Sequence, residues 1–248
     1  MKHAVITGAA DGIGKALAHH FSQAGYHITS IDRDAQRIQE LKRDLKATCI
    51  MGDLSSKTDV FQIIQALLDG PPIDTFIHNA GINAVGHFQS LPIQDQERVI
   101  AVNLTAPIQI TTALLKAKKI QQHGSLVFIS SLSHYVSYPG ASAYAASKSG
   151  LAAYARSLSI ALSPQNIHTL TVYPVPTRTA HAHRYSPDNT HEQKRMPPEH
   201  LAQLIYHAVQ KRKHSLIPGL GNQLFATLGL YFPRLTETLM RKMIYDKL

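Results

Sequence analysis

Tyr144 and Lys148 stand four residues apart in Tyr144-Ala145-Ala146-Ser147-Lys148, with Ser131 thirteen residues upstream. A free tyrosine titrates near pH ~10 and is a poor acid or base at neutrality. A cation close by favours the phenolate and brings the group into range for general acid/base work. At this spacing on a helix the two side chains share a face. A serine hydroxyl alongside them can hold a substrate oxygen as charge develops on it. Together the three read as a group that moves a proton to or from an alcohol or carbonyl oxygen. Taken singly they have ordinary readings too: a packed ring, a solvated amine and a turn former.

A second set of residues reads as a phosphate cradle. His3-Ala4-Val5-Ile6-Thr7 has the pattern of a buried strand and runs straight into Gly8-Ala9-Ala10-Asp11-Gly12-Ile13-Gly14. A helix pattern follows, with Ile13, Leu17, Ala18 and Phe21 on one face. Strand, glycine turn and helix are the context that a dinucleotide fingerprint needs. Gly8 allows the sharp turn, Gly12 lets backbone approach a pyrophosphate, and Gly14 lets the helix lie close on the sheet. The helix N-terminus then offers N–H groups and a partial positive charge to phosphates.

The next strand, from Tyr26 to Ile31, ends at Asp32. An acid about 20 residues past the glycines is placed to bind both ribose hydroxyls and to repel a 2′-phosphate. Asp11 adds negative charge nearby, while Arg33 is the counterweight, since it could hold that phosphate. NAD is therefore the expected cofactor, with NADP the alternative.

Both sets need a frame. Strand and helix patterns alternate along all 248 residues without a flexible linker or repeat, which predicts one α/β domain with a doubly wound sheet. A strand Ser125–Ser130 delivers Ser131, and a helix running through Leu162 to Ser163-Pro164 carries Tyr144 and Lys148.

On these residues the chain resembles the short-chain dehydrogenase/reductase family. The likeness runs from about Lys2 to Thr179, roughly seven-tenths of the chain. Thr7, Gly8, Gly12 and Gly14 match the family's TGxxxGxG turn, with Ile13 inside it. The resemblance implies a three-layer Rossmann-like fold with a mostly parallel seven-stranded sheet. It also implies that Asp53-Leu54 holds the adenine and that backbone at Asn79-Ala80-Gly81 lies along the cofactor. Asn103 matches the residue that holds a water in a proton relay to Lys148. Tyr144 is implied as the acid/base, Ser131 as the carbonyl-positioning group, and Lys148 as the residue that lowers the Tyr pKa and binds the nicotinamide ribose. Pro174, Thr177 and Thr179 follow the sixth strand, where Thr179 matches the residue that meets the nicotinamide carboxamide. Val175 stands where the family usually has Gly, and His78 where it has Asn. A homodimer through the helices around Asn103 and Tyr144 is implied as well.

Composition sets the remaining bounds. Cys49 is the only cysteine, which excludes an intrachain disulfide and favours a reducing, cytoplasmic setting. Met1-Lys2 leads directly into the first strand, with no signal-peptide pattern. No uncharged apolar run is expected to approach the ~18 residues of a membrane span. The net charge is +9, and nine basic against three acidic residues from Lys194 onward supply two-thirds of it. Without a nucleic-acid motif this reads as a solvated basic face, and no nucleic-acid partner is expected. Fifteen histidines include His181, His183 and His191 in one segment, but they lack the spacing and partners of a metal site, so no metal is expected.

Specificity should lie in Ala180–Pro198, a polar segment that reads as a lid and includes Tyr185 and Pro187. A helix follows with Leu201, Leu204, Ile205, Ala208 and Val209 on its buried face, then a last strand at Ser215–Pro218. The chain continues from residue 220 to Leu248 through an apolar stretch and a basic amphipathic one, where Leu235, Leu239, Met240, Met243 and Ile244 share a face. This extra C-terminal helical segment resembles family branches that handle bulky hydrophobic substrates. It is open to three readings: a helix packed on its own domain or a second subunit, a cap over an apolar pocket, or a peripheral membrane contact. The expected reaction is hydride transfer between NAD(H) and an alcohol/carbonyl pair, with a hydrophobic small molecule as substrate. The alternatives are an NADPH-dependent carbonyl or 3-ketoacyl reductase, a non-catalytic cofactor-sensing protein, and a membrane-surface protein led by the basic tail.

Overall fold

A computed structural model describes residues 1–186 and 188–247; Pro187 of the expected lid and Leu248 of the tail lie outside the described residues. In chain order the strands are β1 (His3–Thr7), β2 (His27–Asp32), β3 (Thr48–Met51), β4 (Ile73–His78), β5 (Ile120–Ile129), β6 (His168–Val172) and β7 (Ser215–Leu216). Among the described residues they form one sheet in the order β3-β2-β1-β4-β5-β6-β7, and every pairing is parallel. Parallel strands buried on both faces need apolar side chains on both, and β1 supplies them. Ala4 and Ile6 face one core, and Val5 faces the other.

The first core lies under α1 (Gly12–Gln23), α2 (Ala35–Leu45) and α9 (Pro198–Gln210), with Leu17, Phe21, Leu41, Leu201 and Ile205 fully buried. The second lies under α3 (Lys57–Asp69), α5 (Ala106–Lys116) and α7 (Ser142–Leu162), with Ile63, Ile110, Leu114 and Leu151. Each such side chain contributes about 1.5–3 kcal/mol relative to exposure. This is the expected three-layer doubly wound α/β fold. On α9, Ala202 takes the buried place expected of Leu204, which is only half-buried.

Strand order reverses between β1 and β4, so the carboxyl ends of these two strands open a crevice. β5 starts at Ile120, ahead of the expected Ser125. It pairs Ile73 with Ile120, then shifts register before Thr75–Ser125. The shift coincides with His123 in left-handed conformation and with Gly124, where a Cβ would lie 2.8 Å from the Gln121 carbonyl.

The apolar-run expectation needs correction. Helix α4 (Ile93–Ile100) continues through a π-helical turn (Ala101–Thr105) into α5, and this run of 24 residues is long and apolar enough to span a bilayer by length and composition. Here it lies along the sheet, with Val99, Val102, Ala106, Ile110 and Leu114 in the core. A core helix passes the same test as a membrane helix.

The lid is more ordered than its polar sequence suggests. Thr179 caps a short α8 (Ala180–Tyr185) by accepting from the Ala182 amide at 3.1 Å, and Met196 bridges back to Thr177. The tail forms α10 (Leu220–Tyr231) and α11 (Pro233–Met243). α10 packs on the short helix α6 (Ser133–Val136), and at Gly229 a Cβ would lie 2.3 Å from the Tyr135 carbonyl. Tyr245 reaches His87, with Oη 3.2 Å from Nδ1. The tail thus packs on the segments that follow β4 and β5. The apolar residues expected to share a face on α11 differ in burial. Leu235, Leu239 and Met243 are exposed, while Met240 and Ile244 are half-buried.

Candidate active site

The end of β1 and the end of β4 are tied together before any ligand is considered. Thr7 Oγ1 accepts from the Asn79 and Ala80 amides at 3.0 and 3.1 Å. Asn79 Nδ2 donates to the Thr7 and Gly8 carbonyls, both at 3.0 Å. Gly8 and Gly12 adopt positive φ, +64° and +51°, which favours glycine. Gly14 is buried under this turn, where a Cβ would stand 1.9 Å from the Gly8 carbonyl oxygen. Thr7 and Gly14 therefore lie behind the crevice wall and shape it, whereas Gly8, Asp11, Gly12, Ile13, Asn79, Ala80 and Gly81 line it. Asp11 caps α1, accepting from the Gly12 amide at 2.8 Å.

The cleft holds about 1470 Å³. At one end Asp32 accepts from the Ala10 amide at 3.0 Å and the Asp34 amide at 3.1 Å. Arg33 pairs with Asp53 at 3.5 Å, and Arg98 with the same carboxylate at 2.9 Å. Burial of Asp53 opposes its ionisation, but the Ser55 hydrogen bonds and Arg98 outweigh it and hold the carboxyl below its usual range. Leu54 lines the wall beside it. Arg37 pairs with Asp11 at 2.8 Å and Asp34 at 3.5 Å. Sequence reasoning missed Arg37 and Arg98. Arg37 had a faint signal as the residue three beyond a helix-capping Asp34, but nothing marked Arg98, which arrives from α4 across the sheet edge.

At the other end Ser131, Tyr144 and Lys148 meet. β5 carries Ser131 just past its last residue, and α7 presents Tyr144 and Lys148 one turn apart on the same wall. The Ser131 hydroxyl is close enough to the Tyr144 phenol to favour its ionised form. Lys148 is buried, and its Nζ donates to the Ile129 carbonyl at 2.8 Å and lies 5.8 Å from the Tyr144 ring centre. Burial pulls this ammonium down to about 8. The expected lowering of the tyrosine is not present in this state. Burial pushes Tyr144 up to about 12, against the opposing effect of the Ser131 hydroxyl, with Tyr138 adding to the rise. The physical reason is that desolvation of the buried phenol outweighs every neighbour acting on it, Lys148 not being among those that lower it.

Asn103 sits in the π-helical turn with its side chain fully engaged. Oδ1 accepts from the Ile82 amide at 2.9 Å, while Nδ2 donates to the Ile82 carbonyl at 2.9 Å and the Ser147 hydroxyl at 3.0 Å. It does not line the cleft, but a Cβ on Gly81 would lie 3.1 Å from Lys148 Nζ and 3.4 Å from Asn103 Oδ1. Gly81 is therefore the narrow gap between these two groups.

Past β6, Pro174, Thr177 and Thr179 all line the cleft. The Thr179 methyl abuts Gly12, and Thr177 Oγ1 donates to the Val175 carbonyl at 2.8 Å. Val175 is buried and takes no left-handed conformation, so the loss of glycine there introduces no backbone strain. His78 is buried between Phe76 and Phe128 and bonded to Thr111 at 2.8 Å, a packing role that burial enforces by holding it neutral.

This end of the cleft also joins residues that no spacing rule could connect. Tyr138, His181, Tyr185 and Arg195 come from the α6–α7 loop and the lid, and Phe225, Met240, Met243 and Ile244 come from the tail. His181 faces Tyr144 with ring centres 6.5 Å apart, and burial lowers it to about 4, with Lys148 and Arg184 acting in the same sense.

Comparison with known proteins agrees with this arrangement. The short chain dehydrogenase family profile matches residues 2–190. Dehydrogenase/reductase SDR family member 7B of Xenopus laevis is 30% identical over 256 residues, covering 95% of this chain and 78% of that protein. The 3-ketodihydrosphingosine reductase of Bos taurus is 28% identical over 188 residues, 71% of this chain and 57% of the relative. Among solved structures, a short-chain dehydrogenase from Sphingobium yanoikuyae in complex with NADPH superposes with a TM-score of 0.82 at 25% identity, covering 96% of each chain. With the glycine turn, the crevice at the β1/β4 switch and the Ser-Tyr-Lys wall in place, the chain belongs to the short chain dehydrogenase family of NAD(P)-dependent oxidoreductases acting on alcohol and carbonyl groups.

Proposed function

We propose that the chain interconverts a hydrophobic alcohol and its carbonyl using NAD(H), with Tyr144 as general acid/base. The observation that carries this is one wall: Ser131, Tyr144 and Lys148 stand together in a cleft whose substrate side is closed by Phe225, Met240, Met243 and Ile244. The cradle fits a dinucleotide, because Gly8 and Gly12 line the cleft at the N-terminus of α1 and Gly14 lets that helix close on the turn behind them. Backbone from Gly8 to Gly14 would hold the pyrophosphate. Asp32 would bind the adenosine ribose, Asp53 and Leu54 the adenine, and Lys148 and Thr179 the nicotinamide end. When bound, the nicotinamide supplies or takes up the hydride. Ser131 orients the substrate oxygen, and Tyr144 gives that oxygen its proton or removes it. Asn103 fixes the Ile82 backbone beside Gly81 and so positions Lys148. A bulky apolar substrate is also in keeping with the bovine relative, a 3-ketodihydrosphingosine reductase. A cytoplasmic homodimer completes the reading.

The preference for NAD rests on charge. Four carboxylates, Asp11, Asp32, Asp34 and Asp53, face three guanidinium groups, Arg33, Arg37 and Arg98, and each Arg is already paired. No unengaged cation in this cluster awaits a 2′-phosphate. A carboxylate ~4 Å from a like charge costs about 1–4 kcal/mol in the dielectric range of a surface cleft. NADH is expected to bind at least about tenfold more tightly than NADPH in fluorescence titrations, and Asp32→Asn should bring the two within about threefold, as loss of ~1.4 kcal/mol of repulsion implies. NADPH is the competing reading, since the Sphingobium relative was solved with it. Tighter NADPH binding by this chain would establish that reading, and binding of neither would remove the cofactor assignment.

Tyr144 also sets a pH dependence with a definite sign. Alcohol oxidation needs the phenolate, and a phenol pushed up to about 12 is almost wholly protonated at neutrality. Oxidation should therefore rise about tenfold per pH unit between roughly pH 6 and 8, whereas carbonyl reduction, which needs the phenol, should stay flat. A flat oxidation profile over that range would exclude Tyr144 as the titrating base.

A further inference from the structure

The tail has two faces, and only the inner one is accounted for by the cleft. α10 contains no charged residue from Leu220 to Tyr231. Its inner face places Phe225 on the cleft and Ala226 and Gly229 in buried positions. Its outer face, where a water-soluble helix would carry charge, presents Leu220, Leu224, Leu230 and Tyr231, all more than 60% exposed. Phe232 is exposed at the corner, and Leu235, Leu239 and Met243 continue as an exposed stripe on α11. A contiguous apolar surface of this kind marks an interaction site.

Two observations select its occupant. Arg234 and Lys242 are exposed beside the stripe, Arg241 is paired with Asp246 at 3.3 Å, Glu237 is the one acid on α11, and the whole chain carries +9, so the surface complements an anionic one. Met243 is both exposed on the stripe and part of the cleft lining, with Met240 and Ile244 beside it there. The outer apolar surface is thus continuous with the substrate side of the cleft. A second protein subunit would cover the stripe, but it would make no use of that continuity.

We propose that the outer face of α10 and the α10–α11 corner dock on the surface of an anionic lipid bilayer, and that apolar substrate passes from the lipid into the cleft beside Met243. The docking stands on the surface itself; the passage of substrate rests on the hydrophobic-substrate reading above. Leu224, Tyr231 and Phe232 would insert at the headgroup level while the basic side chains of α11 meet lipid phosphates.

The test is flotation of the full-length protein with phosphatidylcholine vesicles with and without phosphatidylserine, alongside NADH titration. Binding is expected to vesicles containing phosphatidylserine and to weaken with salt. Leu224→Glu combined with Tyr231→Glu should lower partitioning at least about tenfold while NADH affinity is unchanged. Arg234→Glu and Lys242→Glu, which alter only exposed positions, should each lower it by at least about fivefold, the equivalent of ~1 kcal/mol per basic residue at such a surface. If the apolar double variant also loses NADH binding, these two charge variants decide the matter. Protein that stays in the aqueous phase at low salt would overturn the docking, as would charge variants that float as well as the parent. An apolar variant that converts a stable dimer to a monomer without changing flotation would assign the face to a second copy. Docking without NADH binding would instead sink the oxidoreductase reading and leave the membrane surface standing.

Discussion

Tyr144→Phe is expected to lower turnover by about 10²–10⁴-fold while leaving NADH affinity within about twofold. The substitution removes one oxygen. The ring, its edge-on contact with Tyr138 at 6.0 Å and its contact with His181 remain. Two things are lost with the oxygen: the polar partner of Ser131 and the proton that reaches the substrate oxygen. The barrier should rise by about 3–5 kcal/mol, since each 1.36 kcal/mol is a factor of about ten. The loss should appear in kcat more than in KM, because the proton is needed in the transition state and the hydrophobic wall is untouched. Single-turnover measurement with a ketone panel and NADH is the check. A variant retaining more than about a tenth of parental activity would show that another group moves the proton, and His181, the nearest ring in the lid, would be the first to examine.

Gly14→Ala should have the second largest effect, and through a different cause. A methyl group there would fall 1.9 Å from the Gly8 oxygen, 2.6 Å from Asn79 Nδ2 and 2.7 Å from the Gly8 carbonyl carbon. Two of these atoms are backbone, and the third is the amide that joins the β1 and β4 turns. The helix must lift or the turn must open, and overpacking of this kind costs about 3 kcal/mol at the upper end of its usual range. NADH affinity is expected to fall at least about 100-fold, and thermal unfolding should move down by several degrees. Gly221→Ala is the control. That glycine lies in α10 with nothing within 4 Å of an added Cβ and no positive φ, so alanine there should stabilise by up to about 1 kcal/mol through helix propensity. Equal behaviour of the two variants would remove the claim that the glycine turn is a shaped cradle.

What could be read from sequence was local or periodic. The strand–glycine–helix opening, the Tyr144/Lys148 face, and the alternation of strand and helix are consequences of short-range geometry, and they led directly to a doubly wound sheet with a dinucleotide crevice. Ser131 and Asp32 were legible because they end strands, and the end of a parallel strand is where such a fold opens to ligands. The π-helical turn at Asn103 was not, because its side-chain partners, Ile82 and Ser147, lie 21 and 44 residues away. The direction in which Tyr144 is shifted also needed coordinates. Spacing places an ammonium near a phenol, but only packing showed that Lys148 donates to the Ile129 carbonyl and that desolvation dominates the phenol. Likewise, the pairing of Arg33, Arg37 and Arg98 with acids from three different segments decides the charge of the nucleotide end, and no window of sequence contains it. The tail shows the division most plainly. Its amino acids announced an amphipathic addition, yet whether an apolar residue faces the cleft, as Phe225 does, or the solvent, as Leu224 does, was settled by how closely Gly229 lets the helix approach Tyr135. Sequence determines which residues can do chemistry and which elements carry them. Tertiary contact determines what charge, burial and company they have, because those depend on distances between parts of the chain that are far apart along it.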